Sequence, residues 1–468
     1  MDNLREQFAR LDMVLDGYYA QMERDLLGLL SYPSVRGEAE PDAPFGRAID
    51  DALQYTLNVA ASLGCYTENL DGYCGVADII GESADQVGIL AHLDVVPANA
   101  GDWTHDPFSP AIEDGRIYAR GAVDDKGPLI AALYAGVALW ECGFPLRRSI
   151  RYIFGCDEEN GFGCMEYFLA HRQQPQLGFT PDAMFPAIIG EKGIAHWRFE
   201  DSWEDNSGGI RLLSASAGLA NNIVPAKAEA LFVDSGDTRA ALQQLTAYDS
   251  HLTLGERNGG LLLTAEGVAA HASTPEQGEN AIVMLLKALS RLELSPAGAH
   301  SYIRRLAQLF DDDKYGASLG VAAQDELSAL TTVPSMLSIS GSGGSLTCDT
   351  RFPVSHSSDT YRRKLEDIAA RHALRLEGFS GKEPMYVGNE SEVADKLLRV
   401  YRKMTGDFSA PLVIGGGTYA RAFKNFVAFG PEMAGDQPVA HQADEYIEIE
   451  RLKFITKLYA RAIFELAK

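Results

Sequence analysis

The stretch VGILAHLDVVP, at residues 87–97, decides the fold class because it joins a short apolar run to a polar loop. The apolar run, residues 87–91, has the length of a buried strand. The segment PLIAALYAGVALWE, residues 128–141, predicts a helix, because proline suits a first turn and Gly143 stops the pattern. A second apolar run, residues 149–155, predicts another strand. Strand, helix and strand in this order predict an open mixed α/β sheet with helices on both faces.

The pattern changes after residue 190 and returns near residue 385. Strand-like runs occupy the middle of the chain at residues 195–199, 228–233 and 261–265, and helical stretches follow at residues 281–292 and 301–310. The returning α/β segment contains predicted helices at residues 392–404 and 449–466. We therefore predict one α/β domain, residues 1–190 and 385–468, that is interrupted by a large α+β domain, residues 191–384.

Composition excludes several classes of partner. The net charge is −24, so neither nucleic acid nor an anionic membrane is expected to bind, because both need a basic surface. The first 30 residues lack the apolar core and cleavage site of a signal peptide, and no apolar stretch approaches about 18 residues. The six scattered cysteines predict reduced thiols. Together these features predict a cytoplasmic protein.

Five short segments each place an acidic or imidazole side chain at a predicted strand end or in a loop bounded by glycine or proline. The segments are AHLDVVP, RGAVDDKGP, FGCDEENG, TPDAMFP and AHQADEYI, and the side chains are His92, Asp124, Glu159, Asp182 and His441. Ligands collect at the carboxyl ends of strands in open α/β sheets. Five such groups exceed what one tetrahedral site needs. The segments together predict a site for two metal ions and a metal-dependent hydrolase.

The first two segments also contain candidate supporting carboxylates. A metal-binding histidine usually needs a carboxylate or carbonyl on its other ring nitrogen, and Asp94 is placed to serve His92. Asp124 has two oxygens that can bridge cations about 3.5–4 Å apart. We expect the next residue, Asp125, to orient the loop.

The adjacent carboxylates Glu158 and Glu159 can take two different roles in a metal site. Neighbouring residues in an extended segment point to different sides, so one carboxylate can bind metal while the other transfers protons.

Each segment alone has a simpler interpretation. His-x-Asp is commonly a structural hydrogen bond, and Asp-Glu-Glu is commonly a solvated loop. Asp182 could cap a helix, and His441 could be a core histidine. The conjunction of all five segments in one chain favours the metal site.

These residues resemble the dinuclear zinc aminopeptidase-fold family that includes carboxypeptidase G, aminoacylase, carnosinase and the bacterial PepV-like dipeptidases. The shared motifs, in chain order, are HLDVVP, GxxDDKGP, DEE, PDAxFPxIxGEKG, HASTPExGxNA, GGGTYAR and AHQxDEYI. The PepV-like branch is the most similar, and the motifs span nearly the whole chain. PEMAG, residues 431–435, departs from the Pro-Gly turn expected before His441.

The resemblance implies a zinc aminopeptidase-like fold and a role for each motif residue. His92 and Asp182 would bind one metal, Glu159 and His441 the other, and Asp124 would bridge them. Glu158 would be the general base, with Asp94 behind His92. The inserted domain would be a lid that supplies His271, Asn222 and Arg351 to the substrate, with His271 at the oxyanion. The backbone N–H groups of the glycine-rich loop would contact a carboxylate; the loop residues are Gly415, Gly416, Gly417 and Thr418.

The resemblance predicts a cytoplasmic, monomeric metallo-dipeptidase that hydrolyses short unblocked L-peptides. Its cofactors would be two divalent ions, zinc or alternatively manganese or cobalt. One alternative is an N-acyl-amino-acid amidase on the same site. Another is a metal-binding regulatory or scaffold protein without catalysis, although Glu158 speaks against it because a structural site needs no base.

Overall fold

The computed structural model describes residues 2–204, 209–311, 313–388 and 390–468. The chain forms two compact units. The first unit contains Met1–Gly190, Tyr386–Leu412 and Gly417–Lys468, and the second contains Glu191–Met385 and Val413–Gly416. The predicted domain boundaries instead include residues 413–416 in the segment 385–468. Hydrogen bonds explain their place in the second unit, because the amide of Lys192 donates to the carbonyl of Ile414 and the guanidinium of Arg351 donates to the carbonyl of Gly415.

Helices and strands follow one another along the chain in three blocks. The first block contains α1 (Asp2–Leu30), α2 (Arg47–Ser62), β1 (Tyr66–Leu70), β2 (Cys74–Ile79), β3 (Ser83–His92), β4 (Ala111–Glu113), β5 (Arg116–Tyr118), α3 (Lys126–Glu141), β6 (Arg148–Gly155), α4 (Gly163–His171), β7 (Leu177–Thr180) and β8 (Ile188–Glu191). The second block contains β9 (Gly193–Ser202), β10 (Ile210–Ala217), β11 (Ile223–Val224), β12 (Lys227–Val233), α5 (Gly236–Tyr248), β13 (Leu252–Arg257), β14 (Gly260–Glu266), β15 (Ala270–His271), α6 (Ala281–Leu289), β16 (Leu294–Ser295), α7 (Ala297–Leu309), β17 (Thr331–Ile339), β18 (Gly343–Phe352), α8 (Ser358–Arg371) and β19 (Arg375–Lys382). The last block contains β20 (Met385–Tyr386), α9 (Glu392–Thr405), β21 (Leu412–Ile414), β22 (Phe426–Ala428), β23 (Tyr446–Glu448) and α10 (Ile449–Ala467). Among the described residues, every helix is too short or too polar to cross a lipid bilayer.

The sheet of the first unit is mixed. Its strand order is β1-β2-β6-β3-β7-β22-β8-β20, and β21 pairs with β8. Strand β3 runs parallel to both β6 and β7, whereas β1, β2 and β6 are antiparallel neighbours. The predicted open mixed α/β sheet is therefore confirmed.

Helices cover both faces of this sheet. Tyr152 of β6 points towards α3, and its hydroxyl donates to the carbonyl of Ala132 at 2.9 Å. Gly155, three residues later, points to the opposite face, where a side chain would collide with the ring of Tyr419. The hydroxyl of Tyr419 lies 2.9 Å from Sγ of Cys164 in α4, so α4 belongs to that second face.

The second unit contains a separate, largely antiparallel sheet. Its strand order is β13-β14-β12-β10-β17-β18-β9-β19, and β16 adds to β10 in parallel. Helices and sheet enclose one apolar core that includes Trp197, Phe232, Leu286 and Tyr302, each at most 1% exposed. A short antiparallel pair, β11 with β15, carries His271. The inserted segment therefore has the predicted α+β composition.

Candidate metal centre

Three parallel strands end beside the candidate ligands. His92 is the last residue of β3, and it pairs in register with Gly155, the last residue of β6. Glu158 and Glu159 follow β6 within four residues, and Asp182 follows β7 after two residues. Because parallel strands finish at the same sheet edge, residues far apart in sequence come together there.

The five predicted ligands and Glu158 form two adjacent groups. Ligand atoms of His92, Glu158 and Asp182 lie within 4.8 Å of one another, as do those of Asp124, Glu159 and His441. Both groups lie in the first unit.

Asp124 joins the two groups. Its Oδ1 lies 2.8 Å from Nε2 of His92, and its Oδ2 lies 3.0 Å from Nε2 of His441. Nε2 of His441 also lies 3.0 Å from Oε1 of Glu159. One carboxylate therefore faces two histidines through different oxygens.

Burial and crowding of carboxylates shift the protonation of this cluster. Burial raises the pKa of Glu158 well above its ordinary value, and nearby Asp182 adds to the rise. Burial likewise raises the pKa of Asp182 to about 8, with a further contribution from Asp124. Burial also acts to raise the pKa of Asp124, but hydrogen bonds from His441 and His92 outweigh it and lower that pKa. The cluster holds more acidic groups than its two imidazoles can neutralise.

The donor set fits divalent cations. Carboxylates and imidazoles are ordinary ligands of zinc, and no thiol belongs to either described group. Among the described residues, Oε1 of Glu158 is buried without a hydrogen-bond partner, so this oxygen is left for a ligand. Cations placed here would relieve the repulsion between carboxylates.

Asp94 supports two ligand segments at once. Nδ1 of His92 donates to the backbone carbonyl of Asp94 at 2.8 Å, whereas the nearest Asp94 carboxylate oxygen is 3.7 Å away. The two carboxylate oxygens instead accept the backbone N–H groups of Glu158 and Glu159, each at 3.0 Å. The carbonyl therefore orients the imidazole, and the carboxylate holds the Glu158 segment.

Two further carboxylates bind the backbone of candidate ligand segments. Oδ2 of Asp125 accepts the backbone N–H of His92 at 3.2 Å, so Asp125 does more than order its own loop. Glu445, which the sequence analysis missed, accepts the backbone N–H groups of Val123 and Asp124 at 3.0 and 3.2 Å. Its location inside the quoted segment AHQADEYI was the only signal available.

The predicted substrate residues of the inserted domain occupy neighbouring segments of the second unit. Nδ1 of His271 lies 2.6 Å from Oγ of Ser273, and the backbone carbonyl of Asn222 accepts the next amide after His271 at 2.8 Å. Arg351 donates to the carbonyl of Gly415 at 2.8 Å. A side chain at Gly415 would collide with Ser273, so this glycine allows the close approach.

Arg351 is held by a buried partner. Its Nε and Nη2 donate to the two carboxylate oxygens of Asp349 at 2.7 and 2.8 Å. Gly416 follows Gly415 in the second unit, whereas Gly417 and Thr418 belong to the first. The hydroxyl oxygen of Thr418 accepts the amide of Ala420 and caps the turn that follows.

Comparison with known proteins adds independent information. The chain matches the model of Peptidase family M20/M25/M40 over residues 88–465. YtjP of Bacillus subtilis (strain 168) is 38% identical over 455 residues, which cover 95% of this chain and 97% of YtjP. The Beta-Ala-Xaa dipeptidase of Lactobacillus delbrueckii subsp. lactis is 35% identical over 458 residues, with 95% and 96% covered.

A solved structure agrees in fold. Human carnosine dipeptidase 1 superposes with a TM-score of 0.59 at 16% identity, and the match covers 98% of each chain. The resemblance stated from the motifs is confirmed by the extent of the family match. The chain belongs to peptidase family M20/M25/M40 and is a hydrolase of peptide bonds.

Proposed function

We propose that this peptidase is a dipeptidase that acts on short unblocked L-peptides and depends on two divalent metal ions. The observation that carries the proposal is Asp124, which faces His92 and His441 through different oxygens. A carboxylate in that position suits two cations that share it. Zinc fits the donor set, and manganese and cobalt are the alternatives.

Each cation would take its own pair of terminal ligands. His92 and Asp182 would hold one, and Glu159 and His441 would hold the other, with Asp124 between them. The side chain of His92 is 1% exposed and that of His441 is 49% exposed. The His441 side is therefore open to solvent within the first unit, and we expect its cation to exchange more readily.

Glu158 would act as the general base. Bound cations would activate a water molecule and polarise the scissile carbonyl. The carboxylate of Glu158 would take the proton of that water and return it to the departing amine. A carboxylate suits this role, because it can accept a proton and release it again.

The inserted domain, residues 191–384, would be a lid that supplies substrate contacts. His271 would donate to the oxyanion, and Asn222 would contact the peptide beside it. Arg351 would meet the substrate carboxylate together with backbone amides of residues 415–418. Because Asp349 and Gly415 already fix the Arg351 guanidinium, the remaining N–H groups have a set direction.

The cellular compartment and the oligomeric state complete the proposal. All six cysteines lie in the described part of the chain, and each is a free thiol there. Cytoplasmic location and a monomeric state are proposed on the sequence alone.

A substrate screen tests the proposal. The metal-free protein should be supplied in turn with zinc, manganese and cobalt, and assayed on dipeptides, tripeptides and N-acetylated amino acids. Dipeptides that carry β-alanine belong in the panel because a relative is named for them. Cleavage of dipeptides with tripeptides inert is the expected result. Preference for N-acetylated substrates would replace the proposal with an amidase, and no turnover with any metal would end it.

A further inference from the structure

Glu445 links two candidate ligand segments. It lies four residues after His441, and it is fully buried. Its Oε1 accepts the backbone N–H groups of Val123 and Asp124, and its Oε2 accepts a hydrogen bond from Nη1 of Arg120 at 2.6 Å. The segment that provides His441 therefore also holds the peptide that carries the proposed bridging carboxylate.

Two other candidate ligand segments also have a carboxylate that accepts backbone N–H groups of a different segment. The Asp125 carboxylate, next to Asp124, accepts the backbone N–H of His92. The Asp94 carboxylate, two residues after His92, accepts the N–H groups of Glu158 and Glu159. Carboxylates in the His441, Asp124 and His92 segments thus each hold the backbone of another ligand segment. The link made by Glu445 is the one in this series that reaches the shared carboxylate.

The Arg120 guanidinium compensates the buried charge of Glu445. The side chains of Arg120 and Glu445 are 4% and 0% exposed, and the guanidinium carbon lies 5.1 Å from the centre of the Trp103 ring. A buried carboxylate without a cation is costly, whereas a hydrogen-bonded pair is tolerated. Arg120 also leaves one Glu445 oxygen for the two amides.

The backbone around Glu445 has its own attachment. The Glu445 carbonyl accepts the amide of Ala119 at 3.1 Å, and β23 pairs with β5 immediately beyond it. Removal of the carboxylate would therefore leave this segment in place. What would change is the position of Asp124 relative to His441.

We infer that Glu445 and Arg120 form a positioning pair that sets the distance between the Asp124 carboxylate and the His441 imidazole. This inference rests on the proposed two-metal function. Neither residue touches the reacting atoms, and both act through the peptide of Asp124. Changes at such supporting hydrogen bonds commonly cost about 10- to 100-fold in metal affinity or activity.

The first test uses Co²⁺ alone as a probe. Metal-free Glu445→Gln and wild-type proteins should be titrated with Co²⁺ while the visible absorption spectrum is recorded, because the spectrum reports metal coordination. We expect about 10- to 100-fold weaker binding of at least one ion, with a changed spectrum. The kcat for a dipeptide should fall while KM changes little. Unchanged Co²⁺ affinity together with an unchanged spectrum would overturn the inference.

The chain offers a matched control on strands β5 and β23, which lie next to Arg120 and Glu445 in sequence. Arg116 and Glu448 form an exposed ion pair across β5 and β23, with an Nη2 to Oε1 distance of 3.4 Å and side chains 39% and 50% exposed. Glu448→Gln removes a carboxylate from this pair without contact to the Asp124 peptide. It should bind Co²⁺ as the wild type does. A loss equal to that of Glu445→Gln would make the effect a general one of strand pairing and would contradict the inference.

A second variant tests the inference if Glu445→Gln does not fold. If metal-free Glu445→Gln shows no cooperative unfolding, Arg120→Lys takes its place, because it keeps the positive charge but changes the geometry of the hydrogen bond. It should lose Co²⁺ affinity, and wild-type affinity in this variant would overturn the inference. Wild-type protein that binds two Co²⁺ ions but cleaves no peptide would defeat the proposed function, while the comparison of variants would still decide the positioning role.

Discussion

Nε2 of His441 lies 3.0 Å from Oδ2 of Asp124, although the two residues are far apart in sequence. The other oxygen of the same carboxylate is 2.8 Å from His92. Asp124 therefore contacts one histidine of each candidate ligand group, and its removal has a different expected effect from removal of any other candidate ligand.

Asp124→Asn should remove both metal ions together. An amide has only one oxygen and no charge, so it is a poor bridge between two cations. Metal analysis of the purified variant measures the result. Asp359→Asn is the control, because that carboxylate belongs to an exposed ion pair with Arg363. Loss of a single ion with strong residual activity would place the bridge elsewhere.

Glu158→Gln and Glu159→Gln should separate proton transfer from metal binding. The first change keeps the shape of the side chain and removes its proton carrier, so turnover should be abolished while metal content stays normal. The second should lose metal from the His441 side. Metal analysis and steady-state kinetics on both variants check this. The opposite pattern would mean that the two roles are exchanged. This outcome needs testing because ligand atoms of Glu158 lie within 4.8 Å of those of His92 and Asp182.

His271→Ala should reduce kcat far more than metal content. A donor aimed at charge that develops in the transition state is worth about 100- to 1000-fold in kcat. His251→Ala is a suitable control, because His251 is also an exposed histidine of the second unit. Equal effects of the two substitutions on kcat would remove His271 from the mechanism.

Mixing of inactive variants tests the monomeric proposal. If one chain supplies both the metal site and His271, a mixture of His271→Ala and Glu158→Gln proteins should stay inactive. Specific activity of the wild type should also be unchanged on dilution. Recovery of activity in the mixture would show that the site is shared between subunits.

Amidation of the substrate carboxyl group tests the proposed clamp. A good dipeptide should suffer a severe rise in KM or fall in kcat when its C-terminus is amidated, because Arg351 would lose a charged partner. Steady-state rates for the free and amidated forms of one dipeptide provide the measurement. Equal cleavage of both forms would exclude a clamp at Arg351 and residues 415–418.

Metal-free protein should lose stability as pH rises. Burial raises the pKa of Asp94 to about 6 and that of Asp182 to about 8, both from an ordinary value of 3.8. Between the unfolded and folded pKa values the folded state binds more protons, so its stability falls with rising pH. Melting temperatures in chelator should therefore decrease from about pH 5 to about pH 8, and zinc should reduce the slope. A rise over that range in the metal-free protein would contradict these shifts.

The sequence alone predicted which side chains could bind metal ions. His92 follows an apolar run, and Glu158 and Glu159 follow another, so alternation of strand and helix already indicated where these side chains would emerge. The seven motifs and their order along the chain indicated the peptidase family. These features are local, and local patterns of hydrophobicity determine strands, helices and their ends.

Only the tertiary structure decided which groups support the candidate ligands. Arg120 and Glu445 are 325 positions apart, and no local pattern pairs them. The carbonyl of Asp94 likewise accepts a hydrogen bond from His92, and its carboxylate accepts the backbone amides of Glu158 and Glu159. The reason is physical: a buried carboxylate bonds to whichever donors the packed backbone leaves unpaired, and packing fixes those donors only when distant segments meet.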